Sequence, residues 1–150
     1  MTEFSHTFRD YLKTIGMSNT LCDRAESIYH FYADICNLEI KDLFVTDFIN
    51  SDGVRQFQNL WFFNDYLFME AHDFVTSDKF DSSPIHRNIK RWEITKSDYD
   101  FNVVNDKSKL KISIYFYEDL SGNLNATKEN CAYLMKVFKK YVLPNCSQQI

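Results

Sequence analysis

The sequence predicts an α+β fold in which a helical hairpin precedes seven short antiparallel strands and one closing helix. Three observations carry that reading. Apolar residues recur at helical spacing from Phe4 to Ile35. From residue 40 onward the period changes to two, with turn signals roughly every 8–12 residues, the spacing of an all-antiparallel segment. A last helical stripe then runs to Leu143-Pro144, where proline stops it. A chain of 150 residues is long enough for one core that buries roughly 68–70% of the unfolded surface, and too short for two.

In the first helix Phe4, Phe8, Tyr11, Leu12 and Ile15 share a face, and Gly16 stands where a C-terminal cap belongs. Ser18 caps the second, whose stripe is Leu21, Ala25, Ile28, Tyr32 and Ile35. Asn50-Ser51-Asp52-Gly53 is a hairpin turn joining strands at 43–49 and 54–63. Asn64-Asp65 is read as a two-residue turn into a strand at 66–74, and the polar run 75–84 as a loop. Further strands are placed at 87–95, 99–104, 110–118 and 122–126. In the strand at 110–118 Leu110, Ile112, Ile114 and Phe116 face inward. Thr127 is the expected cap of the last helix, with Cys131, Leu134, Phe138 and Tyr141 as its buried stripe. The division expected is a helical hairpin at 1–38 packed on a unit at 39–150, together one compact domain.

Composition excludes several functions. Aromatics are 17% of the chain while Gly is 3 and Pro 2, which rules out disorder. A net charge of −4 argues against a dedicated nucleic-acid binder. Lys107, Lys109 and Lys111, alternating with Lys90, Arg91 and Lys96, are read as a solvated face that discourages edge pairing, as are Lys136, Lys139 and Lys140. No run of about 18 apolar residues is present to span a membrane, and no secretory signal is evident. Cys22, Cys36, Cys131 and Cys146 form no CxxC pair and read as reduced thiols in a cytoplasmic protein.

Meandering strands closed by one C-terminal helix resemble the pleckstrin-homology-like superfamily, through element order and turn spacing over 43–143. That resemblance implies a seven-stranded antiparallel barrel plugged by the helix, with the N-terminal hairpin as an addition. Members that bind phosphoinositides carry a Lys followed by an Arg-x-Arg-like run across the first hairpin. Here Lys41 is followed by Arg55-Gln56-Phe57, flanked by Asp42, Asp47 and Asp52, so too few cations converge for phosphoinositide binding. The order of elements is also similar to the helix-grip fold of lipid and hormone carriers. That second resemblance implies an aromatic-lined cavity for a small hydrophobic ligand.

The stretch Leu60–Phe74 is apolar on both faces, so something must cover each side. With a two-residue turn, 63 pairs with 66 and 61 with 68. One face then carries Leu60, Phe62, Leu67, Met69 and Ala71, which suits a barrel interior. The other carries Phe57, Trp61, Phe63, Tyr66 and Phe68, grading into Arg55, Glu70 and His72. The N-terminal helices, a partner or second copy, or a bound small molecule covers that aromatic face. The functional expectation is a non-enzymatic protein-interaction module in which these eight residues meet a protein partner or a second copy. Glu70 and His72 sit close enough to hydrogen-bond, but no nucleophile or third ligand accompanies them, so neither catalysis, metal nor cofactor is expected.

Overall fold

The computed structural model describes residues 3–76, 85–98, 105–117 and 119–146. Helix α1 (His6–Thr14) is capped by Ser5, whose hydroxyl accepts from the Thr7 amide, and ends at Gly16 with φ of 93°. Helix α2 (Asn19–His30) is capped by Ser18 and continues as a π-helical turn, Phe31–Ile35. The wider turn rotates the stripe. Ala25, Ile28, Tyr32 and Ala33 are buried, and Ile35, expected inside, is 76% exposed.

Strands β1 (Asp42–Ile49), β2 (Arg55–Phe63), β3 (Leu67–Ala71) and β4 (Ile85–Arg87) form one antiparallel sheet in that order. Strands β5 (Ile89–Ser97), β6 (Lys109–Phe116) and β7 (Ser121–Thr127) form a second. Helix α3 (Asn130–Val137) follows, continuing as a π-helical turn over Phe138–Val142. The strand expected at 87–95 is two strands, split at Asn88, whose φ of 60° turns the chain from one sheet into the other. The strand expected at 99–104 lies outside the described residues. No helix among the described residues is long and apolar enough to cross a membrane.

The expected closed barrel of the pleckstrin-homology type is not formed. Its seven strands lie in two sheets, with no ladder between them among the described residues. The reason is visible where β7 meets β1. The Thr127 amide, which a closed barrel would pair with backbone, donates to Oδ1 of Asp47 at 3.0 Å. The edge groups of Val45 are also taken by side chains: its N–H donates to Tyr11 Oη at 3.0 Å, and its carbonyl accepts from Asn130 Nδ2 at 2.8 Å. Side chains occupy the hydrogen-bonding positions of the missing ladder.

Thr127 is likewise not a helix cap. It closes β7, its hydroxyl donates to Oδ2 of Asp47, and α3 starts after Glu129 without a side-chain cap. The expected stripe of Cys131, Leu134, Phe138 and Tyr141 is buried. Tyr141 stacks on Phe63 with centroids 5.2 Å apart, and Phe138 meets Trp92 edge-on at 5.0 Å, so this helix touches both sheets. The N-terminal helices cover the opposite face of the first sheet, where Tyr29 and Tyr32 contact Phe62.

The Trp61 side chain of the first sheet packs directly on Gly122 of the second. A methyl group there would stand 2.6 Å from Cη2 of Trp61, so only glycine fits. Gly122→Ala is expected to lower the unfolding free energy by about 1–3 kcal/mol, the usual cost of overpacking a filled interior. Urea unfolding checks this, and a change below about 0.5 kcal/mol would mean that the indole moves freely.

Candidate functional site

The turn after β2 is longer than a two-residue hairpin. The Asn64 amide donates to the Leu67 carbonyl and the Leu67 amide to Asn64 Oδ1, so Phe63 pairs with Phe68, Phe62 with Met69 and Trp61 with Glu70. The expected register is therefore off by two residues. A shift of two leaves residues 60–63 and 68–71 on their expected faces, because side-chain direction repeats every two residues.

The faces are right and the exposure is reversed. Trp61, Phe63 and Phe68 are fully buried, facing the second sheet and the last helix, so they present no surface to a partner. Phe68 lies against Phe116, and Trp61 against Gly122. The set of Leu60, Phe62, Met69 and Ala71 is covered by the N-terminal helices instead.

The remaining expected site residues scatter. Tyr66 is exposed in the turn. Phe57 is half-buried beside Gln56 and Val75, at one side of a shallow groove. A β-bulge separates it from Trp61: Val45 pairs with Leu60 but Asp47 with Phe57, so two residues of β2 stand opposite Thr46. The Thr46 hydroxyl accepts the Asn59 amide at 2.9 Å in compensation.

Arg55 is structural. Its guanidinium donates to Asp47, Glu129 and the carbonyls of Ile15 and Thr127. Burial works against that charge, but the hydrogen bonds to Glu129 and Asp47 hold its pKa above the ordinary value. Nearby, burial pushes the Cys131 thiol up to about 12, with Asp47 adding to the shift. All four cysteines are unpaired.

Glu70 and His72 do meet: His72 Nε2 lies 3.2 Å from Glu70 Oε1, with the carboxylate buried and the imidazole exposed. The structure adds a residue that the sequence left isolated. His86 on β4, opposite Phe68, places its Nε2 3.6 Å from the same oxygen. His86 is 4% exposed and lies flat against Phe116, centroids 4.2 Å apart and planes at 6°. Neither of its ring nitrogens has a hydrogen-bond partner among the described residues, nor has Trp61 Nε1 or Glu70 Oε1. Most buried polar atoms are paired, so four orphans at one place are unusual.

His86 also lines a cleft of about 370 Å³ with Ile85, Arg87, Asn88, Phe116, Tyr117 and Leu120. Ile85, Tyr117 and Leu120 are 43%, 48% and 48% exposed. The signal for this site in the sequence is weak: it consists of residues from two turns and a three-residue strand, distant in sequence and joined only by Asn88 and the β6–β7 turn. Among the described residues no three of His, Cys, Asp and Glu are arranged to hold a metal ion. No family model, curated protein or solved structure matches the chain, and none identifies a pleckstrin-homology-like superfamily.

With the aromatics interior, Trp61→Ala is expected to cost about 3–5 kcal/mol of stability, as for other large-to-small core changes. Thermal and urea unfolding measure it. A loss under about 1 kcal/mol would return Trp61 to the surface.

Proposed function

We propose that this protein is a non-enzymatic interaction module that engages a protein partner at the cleft between β4 and the β6–β7 turn. The carrying observation is the clustering of three exposed large apolar side chains, Ile85, Tyr117 and Leu120, around one concavity. Scattered exposed apolar residues need no explanation, but grouped ones mark association sites. A pocket ringed by apolar side chains with polar groups nearby is the usual seat of a binding hot spot.

The enzymatic reading has less support. The described residues that line the cleft include no Ser, Thr, Cys or Lys to serve as a nucleophile, and both His86 ring nitrogens are buried. The carrier reading is also less supported, because Trp61, Phe63, Phe68, Phe116 and Tyr141 fill the space between the sheets. Four unpaired cysteines fit a reducing compartment, and we place the protein in the cytoplasm on that ground.

Panning a random peptide library displayed on phage tests the reading. Peptides enriched on the wild-type chain are expected to bind Leu120→Asp at least about tenfold more weakly. Leu120 is exposed, so the thermal midpoint should not move. Peptides that bind the variant as tightly as wild type would contradict the proposal, as would a failure of any peptide to enrich.

A further inference from the structure

Strand β7 is an edge of the second sheet, with a ladder to β6 on one side only. In an antiparallel pair, residues that hydrogen-bond the neighbour alternate with residues whose amide and carbonyl point away from it. Thr127 points away: its amide donates to Asp47 and its carbonyl accepts from Arg55 Nη2. By the same alternation the amides and carbonyls of Asn125, Asn123 and Ser121 point away from β6. Those of Asn123 and Asn125 have no hydrogen-bond partner among the described residues.

The facing edge of β1 has the same character. The Asn50 amide donates to the Val54 carbonyl of the β1–β2 turn, so the amide of Ile49, one residue earlier, is directed away from β2. Ile49 and Asn125 line one recess between the sheets, about 160 Å³ in volume. The ladder missing between β1 and β7 is thus replaced by side chains at Thr127 and left open from Asn125 onward. An open edge of this kind is a template for an added strand.

The two faces of such a strand meet different surroundings. On one face, Lys111 of β6 stands opposite Asn125 and Lys109 opposite Thr127. Lys109 is exposed, Lys111 is half-buried, and neither forms an ion pair among the described residues. Both line the recess. The acid that lines it with them, Asp47, has both oxygens occupied and Arg55 against it. An added strand lies two strand spacings, about 10 Å, from β6. A glutamate on that strand and a lysine on β6 can reach toward each other across this span, so the lysines favour acidic residues on this face. On the other face lie the buried Leu124 and Ala126, and beside Ala126 at the recess is Phe48, 42% exposed. Apolar residues are favoured there.

A second copy of the chain fits the edge poorly. Pairing β7 with β7 of another copy would set Lys109 and Lys111 of both copies on one face, where like charges repel. The lysines that guard the edge against self-pairing are the groups that admit an acidic strand.

We propose that the edge of β7 takes up an extended segment of a partner protein in which acidic and apolar residues alternate. The segment becomes a fourth strand of the second sheet, and the bonds between Asp47 and Thr127 close the gap at its far end. This site does not rest on the reading of the cleft beside Leu120.

The test is a nuclear magnetic resonance titration of the full chain with three peptides. They are acetyl-Glu-Val-Glu-Val-Glu-amide, its lysine counterpart acetyl-Lys-Val-Lys-Val-Lys-amide, and the glutamate peptide with every backbone nitrogen methylated. The glutamate peptide is expected to give saturable shifts at the amides of Ser121, Asn123 and Asn125 and to slow their hydrogen exchange. The lysine peptide, and the methylated one that cannot donate to the edge, should each bind at least about tenfold more weakly. In the double variant Lys109→Glu/Lys111→Glu the preference between the glutamate and lysine peptides should reverse. Neither lysine is fully buried, so the thermal midpoint should stay in place. Should that variant fail to fold, the ranking of the three peptides on the wild-type chain decides alone.

Equal binding of the glutamate and lysine peptides overturns the proposal, as does a methylated peptide that binds as tightly as its parent. Shifts confined to other surfaces, or no saturable shift at all, overturn it too. Protection of the Asn123 and Asn125 amides that grows with chain concentration in the absence of peptide would assign the edge to a second copy instead.

Discussion

The carboxylate of Asp47 is buried where β7 and α3 meet β1 and β2, and the arrangement of the chain depends on it. Its Oδ1 accepts from the Thr127 amide and from Asn130 Nδ2, and its Oδ2 from Arg55 Nε and the Thr127 hydroxyl. Arg55 passes the link to the Ile15 carbonyl at the end of α1 and to Glu129 at the start of α3. Tyr11 and Asn130 complete a ring of hydrogen bonds with Val45. One acid thereby joins α1, β1, β2, β7 and α3. A buried charge is tolerated only when its partners are complete, and here each oxygen has two.

This network explains why two sheets stay together without sharing a ladder. On one side the chain itself connects them through Asn88. On the other, where β1 and β7 would pair in a barrel, side chains close the gap. Strand β7 runs from one feature to the other: it ends at Thr127 in the network and begins beside Leu120 at the cleft. Near the cleft end, Gly122 lets Trp61 close the interior. The cleft is therefore held by a rigid frame at a distance from the polar network. Beside it, Glu70 Oε1 and both His86 ring nitrogens are buried without a hydrogen bond among the described residues. Polar groups are therefore satisfied around Asp47 and left unsatisfied beside the cleft.

Much of the architecture was legible because period and turn chemistry are local properties. The caps at Ser18 and Gly16, the turn at Asn50–Gly53 and the stripe of α3 follow from adjacent residues alone. The two faces of β2 and β3 survived an error in register because the error was even. What escaped the sequence was non-local. Nothing adjacent to Thr127 marks it as a partner of Asp47 rather than a helix cap, since they are far apart in the chain. The π-helical turn that expels Ile35 leaves no mark in an apolar stripe. Whether Trp61, Phe63 and Phe68 face solvent or a second sheet depends on what the other strands do. His86 stood alone in the sequence because the residues around it looked like a loop leading into a single strand.

The most direct test of the role given to Asp47 is equilibrium urea unfolding of Asp47→Ala, followed by tryptophan fluorescence and far-ultraviolet circular dichroism. Removing one member of a buried, fully paired ion network leaves Arg55 Nε and the Thr127 amide and hydroxyl without their acceptor, and takes one of two acceptors from Asn130 Nδ2. A loss of about 3–5 kcal/mol is expected, the range measured when a buried pair is broken. A variant within about 1 kcal/mol of wild type, unfolding in the same single transition, would show that packing alone holds the sheets together.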